Sequence, residues 1–185
     1  MKDDICSYCN RKVCKQDASF NFPKMPKWHE FYEMSEKVFH IECIKKIDCI
    51  KGIGKGLADI TEKMALTSED TPLLLRNNNI VVIGDMNEMA IEINDYEDFV
   101  QFNISIMNLD YIDDLQCPKV VQNKTTSLDF LQNGKVRLIT LFYELELDFL
   151  TSLRLKQIVK EVKKSGVFND INGLKRVITD KYLKE

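Results

Sequence analysis

The sequence predicts an α+β fold in which a small N-terminal module precedes a second domain. Five of the six cysteines and both histidines fall within residues 1–66, and segments of strand-like and helix-like periodicity follow one another along the rest of the chain. The charge also changes along the chain, because residues 1–66 carry +2, residues 67–150 carry −10 and residues 151–185 carry +5. We therefore predict one domain over residues 1–66 and another over residues 67–185.

The composition is that of a folded protein without a membrane span. The chain has 185 residues, a hydrophobic fraction of 44% and a net charge of −3, values ordinary for a soluble protein with a packed core. No apolar run reaches 18 residues, and the N-terminus lacks the apolar segment of a secretory signal. We expect a cytoplasmic protein with reduced cysteines, for which metal binding is more common than disulfide formation.

In the first domain, residues 18–22 and 37–39 are predicted to form short strands. Isoleucines recur at helical spacing after His40, so we predict a helix that begins there and ends at Gly52. The apolar residues that follow the glycines predict a second helix over residues 56–66.

The second domain is predicted to open with a linker and a β-hairpin. The segment TSEDTP, residues 67–72, is polar and contains a proline, as linkers do. Residues 80–83 and 89–93 are predicted strands, joined by the turn sequence GDMNE. Asp95 suits the N-cap of a helix. The apolar face of that helix is predicted to contain Phe99, Phe102, Ile106 and Leu109.

The remaining elements are predicted from composition and stop signals. Residues 116–127 are predicted to be a loop with room for a short strand. The β-branched and aromatic residues of segment 135–147 favour a strand, although its length and its lack of glycine also allow a helix. A helix is predicted over residues 151–164, closed by the Ser-Gly pair that follows. A last helix is predicted over residues 172–184.

Two residue pairs form a metal-binding pattern, Cys6-x2-Cys9 and His40-x2-Cys43. A C-x-x-C pair turns both thiolates toward one point, and an H-x-x-C pair at a helix start places both side chains on one face. Three sulfurs and one nitrogen are a ligand set that tetrahedral zinc accepts, and four protein ligands leave no open position for catalysis. We predict a structural Zn²⁺ site, with replacement of one ligand by Cys14 or His29 as the alternative.

With this spacing, residues 5–50 resemble a treble-clef zinc finger, most of all the poly(ADP-ribose) polymerase type and the first half of a LIM domain. As in the former, about 30 residues separate Cys9 from His40, and an aromatic residue, Phe39, precedes the histidine. A LIM domain would add a second ligand quartet directly afterwards, which this sequence lacks. The resemblance implies a knuckle, a hairpin and a helix whose first turn carries the last two ligands.

The glycine-rich segment IKGIGKGLADI, from Ile50, resembles a helix-hairpin-helix motif. In that motif, backbone N–H groups of the hairpin hold a nucleic-acid phosphate. The resemblance implies a nucleic-acid site at Lys51, Gly52, Gly54 and Lys55. The alternative is a glycine-rich break between two helices. The basic segment 153–185 is also similar, more distantly, to a SAP-type nucleic-acid-binding hairpin, with a solvated basic face as the alternative.

No nucleophile, base or cofactor motif forms a catalytic pattern, so we predict that the protein is not an enzyme. The first functional hypothesis is a nucleic-acid-binding accessory protein that uses the zinc module. The second is an inhibitor, such as an immunity or antitoxin-like protein, that uses acidic residues to bind a basic protein partner. The acidic candidates are Asp85, Glu88, Glu92, Asp95, Glu97 and Asp98.

Overall fold

The computed structural model describes residues 4–68, 70–113, 119–121 and 126–166. It confirms a mixed α+β fold. Two 3-10 turns, Tyr32–Met34 and Ile106–Asn108, accompany the regular elements. The helices and strands are, in chain order, β1 (Ser19–Asn21), β2 (Val38–His40), α1 (Ile41–Ile44), α2 (Ile50–Leu66), β3 (Leu73–Asn77), β4 (Ile80–Asp85), β5 (Ala90–Asp95), β6 (Val100–Ser105), α3 (Leu109–Asp113), β7 (Lys119–Val121), β8 (Thr126–Phe130), β9 (Lys135–Thr140), β10 (Glu144–Thr151) and α4 (Ser152–Lys164).

The strands of the described residues form one hairpin and two four-stranded sheets, and every pairing is antiparallel. The hairpin joins β1 to β2. The first sheet has the order β3-β4-β5-β6, and the second has the order β10-β9-β8-β7. Each sheet therefore follows the chain order, since short turns connect neighbouring antiparallel strands.

The inner strands of the first sheet, β4 and β5, pack on both faces, which explains their nearly continuous burial. Ile80 and Val82 of β4 belong to a core shared with the second sheet and with α4. Val81, between them, points the other way and joins a core formed mainly by the N-terminal module and α2. Alternate residues of a strand point to opposite faces, so β4 connects the two cores.

Helix α2 runs through the glycines that were predicted to end a helix, so the predicted break at Gly52 is wrong. The preceding helix, α1, ends at Ile44. A Cβ atom at Gly54 would lie 2.5 Å from the carbonyl oxygen of Tyr96, and one at Gly56 would lie 2.9 Å from the ring of Phe31. These two glycines let the helix fit between the β5–β6 turn on one side and an aromatic loop on the other.

We expect Gly54→Ala to destabilise the protein and Gly52→Ala to stabilise it. Gly54 has backbone as its neighbour, so its Cβ forces a shift that costs about 1–3 kcal/mol. A Cβ at Gly52 meets the Phe31 ring at an ordinary 3.7 Å, so the alanine gains up to about 1 kcal/mol in helix propensity. Urea unfolding of both variants measures the difference, and equal effects of the two substitutions would contradict this packing.

The prediction of a helix after Asp95 is also wrong, because residues 100–105 form strand β6. The burial of β6 alternates, with Val100, Phe102 and Ile104 inside and Gln101 exposed. The predicted helical spacing relied on Phe99 and Leu109, which lie on either side of the strand. Residues 100–105 alternate between buried and more exposed positions, and their packing in the sheet decided the structure over the helical spacing of the apolar residues.

The other predictions had mixed outcomes. The strands predicted over 80–83 and 89–93 are confirmed as β4 and β5, and the helix predicted over 151–164 is confirmed as α4. Segment 135–147 is extended but contains two strands, β9 and the start of β10. The helix predicted over 172–184 lies outside the described residues. The domain boundary after residue 66 stays a prediction.

Candidate metal centre and its surroundings

The four predicted metal ligands come from three local structures. Cys6 and Cys9 belong to a tight turn in which the N–H of Asn10 donates to the carbonyl of Cys6 at 2.9 Å. Asn10 has φ of +56°, a left-handed conformation that asparagine tolerates. His40 ends β2 and precedes α1, and Cys43 lies in the first turn of that helix. The spacing in the sequence thus produces two pairs that face each other.

The ligand atoms of the quartet all lie within 4.8 Å of one another. The Nδ1 atom of His40 is 3.5 Å from Sγ of Cys9 and 3.8 Å from Sγ of Cys43. Tetrahedral bonds of about 2.3 Å to sulfur and 2.0 Å to nitrogen place such atoms roughly 3.6 Å apart. The quartet can therefore hold a metal ion, with its widest pair of ligand atoms drawn closer together.

The carboxylate of Asp17 faces the second ring nitrogen of His40. Oδ2 of Asp17 lies 3.6 Å from Nε2 of His40 and accepts a hydrogen bond from the N–H of Cys14 at 2.7 Å. Histidine ligands of metals are commonly oriented by a carboxylate at the second ring nitrogen. The alternative ligand His29 is engaged elsewhere, since its Nδ1 accepts the N–H of Phe31 at 3.1 Å.

The thiols of the quartet differ in acidity. Hydrogen bonding from the Arg11 side chain lowers the pKa of Cys9 to about 6. Burial raises the pKa of Cys43 to about 11, with a further contribution from its hydrogen bond to Cys9. Cys9 is therefore ionised at neutral pH, whereas Cys43 gives up its proton when a metal binds. Metal binding releases protons and weakens in acid.

The residues of the predicted glycine hairpin lie on one helix, without a hairpin. The side chains of Lys51 and Lys55 are exposed and four residues apart in α2, on neighbouring turns of one side. Gly52 is exposed and Gly54 is buried. The backbone of this segment lies within the helix, so the phosphate-holding hairpin that the resemblance implied does not form.

The acidic residues chosen for a protein partner do not form one surface. Asp85 and Glu88 lie at the β4–β5 turn, whereas Glu97 lies at the opposite end of β5. Asp95 and Asp98 are buried, with exposed fractions of 0% and 1%. The sixth candidate, Glu92, is half-buried on β5 and accepts a hydrogen bond from Asn94 at 2.8 Å. Two of the six predicted residues are therefore buried and inaccessible to a protein partner.

Sequence reasoning missed two features of the N-terminal module and its contacts. Lys45, two residues after Cys43, forms ion pairs with buried Asp98 at 3.3 Å and with Asp148 at 3.2 Å. Trp28, the only tryptophan of the chain, is 80% exposed. The ion pairs join residues 53 and 103 positions apart, which no local pattern reveals. Trp28, by contrast, follows Lys24 and Lys27 closely in the sequence, so it could have been identified there as a candidate binding residue.

No protein-family model, curated protein or solved structure matches this chain. Within residues 4–68, 70–113, 119–121 and 126–166, no helix is both long enough and apolar enough to span a membrane. All five cysteines in that part of the chain are free thiols.

Proposed function

We propose that the N-terminal module is a structural zinc finger of the treble-clef type. The order of its parts supports this: a knuckle with two thiols, the β1–β2 hairpin, and a histidine and a thiol at the start of α1. Three thiols and an imidazole suit zinc better than the hard cations, which take oxygen ligands. Thiols persist in this form in the cytoplasm, where we place the protein.

The zinc finger serves a non-enzymatic protein that binds nucleic acid, and one observation carries this proposal: the exposed indole of Trp28. The neighbouring Phe31 packs against Gly52 and Gly56 of α2, and His29 lies beside the second of these glycines. The loop is thereby held on the outer face of the helix while the indole faces solvent. Exposed aromatic rings stack on nucleobases of any sequence.

Four exposed lysines belong to the loop of Trp28 and to the helix on which that loop rests. Lys24 and Lys27 precede it in the same loop, and Lys51 and Lys55 project from the helix on which the loop rests. All four side chains are exposed. Lysines beside an aromatic ring supply phosphate contacts beside a stacking surface, the combination that single-stranded nucleic acid requires. In this proposal Lys51 and Lys55 contact phosphate from the side of a helix, without the hairpin that the sequence resemblance implied.

The alternative function, binding of a basic protein through acidic residues, has less support. Its predicted surface is divided between two ends of β5, and two of its six carboxylates are buried. No observation of comparable weight to the exposed indole favours it.

We expect a 12-nucleotide single strand to quench the fluorescence of the zinc-loaded protein, because Trp28 is its only indole. Lys55→Glu should weaken binding about tenfold, or about 1.4 kcal/mol, and reduce the salt dependence by about one phosphate contact. The matched control is Lys160→Glu, the same charge reversal at an exposed position of α4. Absence of binding at low salt would remove this function. Equal effects of the two reversals would remove Lys55 from the binding site, since Lys160 lies in the other basic segment, 153–185.

A further inference from the structure

A small apolar cavity opens beside Lys51, where α2 begins. It has a volume of about 200 Å³, and its apolar lining comes from three elements: Ile50 of α2, Tyr96 and Phe99 of the β5–β6 turn, and Phe149 of β10. Tyr96 and Phe99 are buried, whereas the ring of Phe149 is 49% exposed. The cavity is smaller than the roughly 300–1,000 Å³ of drug-sized sites, so it suits a single planar ring system.

Three polar side chains at this cavity have no partner. Lys51, Asn79 and Glu97 line it, and none of their side chains makes a hydrogen bond or ion pair within the described part of the chain. They offer an ammonium group, an amide and a carboxylate. An apolar cavity with a few unpaired polar groups is the usual form of a small-molecule site. These groups match the phosphate and the base edge of a nucleotide.

The other charged groups at the cavity are neutralised. Asp148 is paired with Lys45 at 3.2 Å and with Lys135 at 3.3 Å, and Lys45 is also paired with buried Asp98. The positive charge of Lys51 therefore remains for a phosphate, while Glu97 is the one carboxylate among the lining residues without a counter-ion.

The cavity and the Trp28 loop lie on two sides of the same pair of lysines. On a helix with 100° between residues, Lys51 and Lys55 fall between the glycine face that carries the loop and the face that Ile50 presents to the cavity. A strand that stacks on Trp28 therefore reaches the cavity by crossing both lysines.

We infer that this cavity receives one unstacked nucleobase of a single-stranded nucleic acid, stacked on Phe149, with its phosphate on Lys51 and its edge toward Asn79 and Glu97. The inference rests on the nucleic-acid binding proposed above. It adds a second base contact to the one at Trp28, and a base within a duplex is paired and stacked and cannot enter such a cavity. The protein then binds single strands more tightly than duplexes of the same length.

The test compares Phe149→Ala with Phe142→Ala, which removes another exposed ring from the turn at the far end of β10. Binding of zinc-loaded protein to a 12-nucleotide single strand and to its duplex is measured by anisotropy. Phe149→Ala should weaken single-strand binding about 5- to 150-fold, the loss of one stacked base, and leave duplex binding unchanged. Phe149→Tyr, which keeps the ring, should restore the wild-type affinity. Phe142→Ala should change neither.

The outcomes separate this inference from the proposed function. Wild-type single-strand binding by Phe149→Ala overturns the base cavity and leaves nucleic-acid binding through Trp28 in place. No binding of either nucleic acid by the wild-type protein overturns both. A loss of zinc stoichiometry in Phe149→Ala would identify misfolding, and the exposed variant Lys51→Gln is then measured instead. Undiminished single-strand binding by Lys51→Gln overturns the inference. A loss of single-strand binding with unchanged duplex binding supports it.

Discussion

Replacement of Cys43 by serine is expected to abolish metal binding and to unfold the N-terminal module. Cys43 and Cys6 are both buried within the core that this module forms with α2. Binding energy at structural zinc sites is folding energy, on the order of 10 kcal/mol, and a whole domain has about 5–15 kcal/mol of stability. Cys6→Ser should therefore have the same effect.

The measurement is the zinc content of freshly purified protein, followed by hydrogen exchange. Wild-type protein should carry one zinc per chain. The control is Cys49→Ser, because Cys49 is exposed and lies outside the quartet; this variant should keep its zinc. In the ligand variants, exchange should accelerate in β1, β2 and α1 first. Wild-type protein that purifies without zinc would contradict the metal site itself.

Loss of the metal should also destabilise the second sheet. Lys45 follows α1 directly and pairs with Asp98 and Asp148, so the helix that carries Cys43 is fastened to the β5–β6 turn and to β10. If the module unfolds, the carboxylate of Asp98 stays buried without this cation, which is costly. Protection at residues 148–150 should therefore fall together with that of the module.

The cluster of three cysteines and one histidine was predictable from the sequence, whereas the path of α2 was not. The reason is physical. Tetrahedral coordination fixes the spacing within each ligand pair, so Cys6, Cys9, His40 and Cys43 were identified without knowledge of the fold. A glycine can end a helix or can allow close packing within one, and the sequence alone does not distinguish these two roles. At Gly54 it serves close packing against the carbonyl of Tyr96, a residue more than 40 positions away.

The strand β6 and the buried acids illustrate the same limit. Residues 99–109 contain both helical and alternating apolar spacing, and only contact with β5 decides between them. Asp95 and Asp98 were read as surface because carboxylates are rarely buried unless they are paired. The partners of Asp98 are Lys45 and the N–H groups of β10, which become its neighbours only after the sheets assemble. Those of Asp95 are the N–H groups of the turn that directly follows it, a contact that a surface carboxylate makes equally well.

Substitution of Asp98 by asparagine is expected to destabilise the protein by about 1–3 kcal/mol, the cost of leaving buried N–H donors without an acceptor. Its Oδ1 accepts the N–H of Asp148 at 3.0 Å and the ammonium of Lys45 at 3.3 Å. Its Oδ2 accepts the N–H groups of Phe149 at 2.9 Å and Leu150 at 3.3 Å. An amide can replace only one oxygen, and its NH2 group then faces N–H donors.

Asp95, three residues earlier, should respond in the opposite direction. Its Oδ1 accepts the N–H groups of Glu97 and Asp98, but its buried Oδ2 has no partner. Burial, with the charge of Asp98 as a second cause, raises the pKa of Asp95 from 3.8 to about 6. At 1.36 kcal/mol per pKa unit, the ionised form costs about 3 kcal/mol. Asp95→Asn keeps the accepting oxygen and removes the charge, so it should stabilise the protein at neutral pH.

The pH dependence distinguishes the two acids. The folded protein holds a proton on Asp95 more tightly than the unfolded chain, so the stability penalty is complete above about pH 7 and disappears as the pH falls through 6 toward 3.8. The gain from Asp95→Asn should therefore shrink from about 3 kcal/mol at pH 8 to well under half of that at pH 4.5, as measured by urea unfolding. Asp98→Asn should remain destabilising at both values. If both substitutions shift the unfolding midpoint in the same direction at pH 8, the two carboxylates do not have the separate roles that their hydrogen bonds indicate.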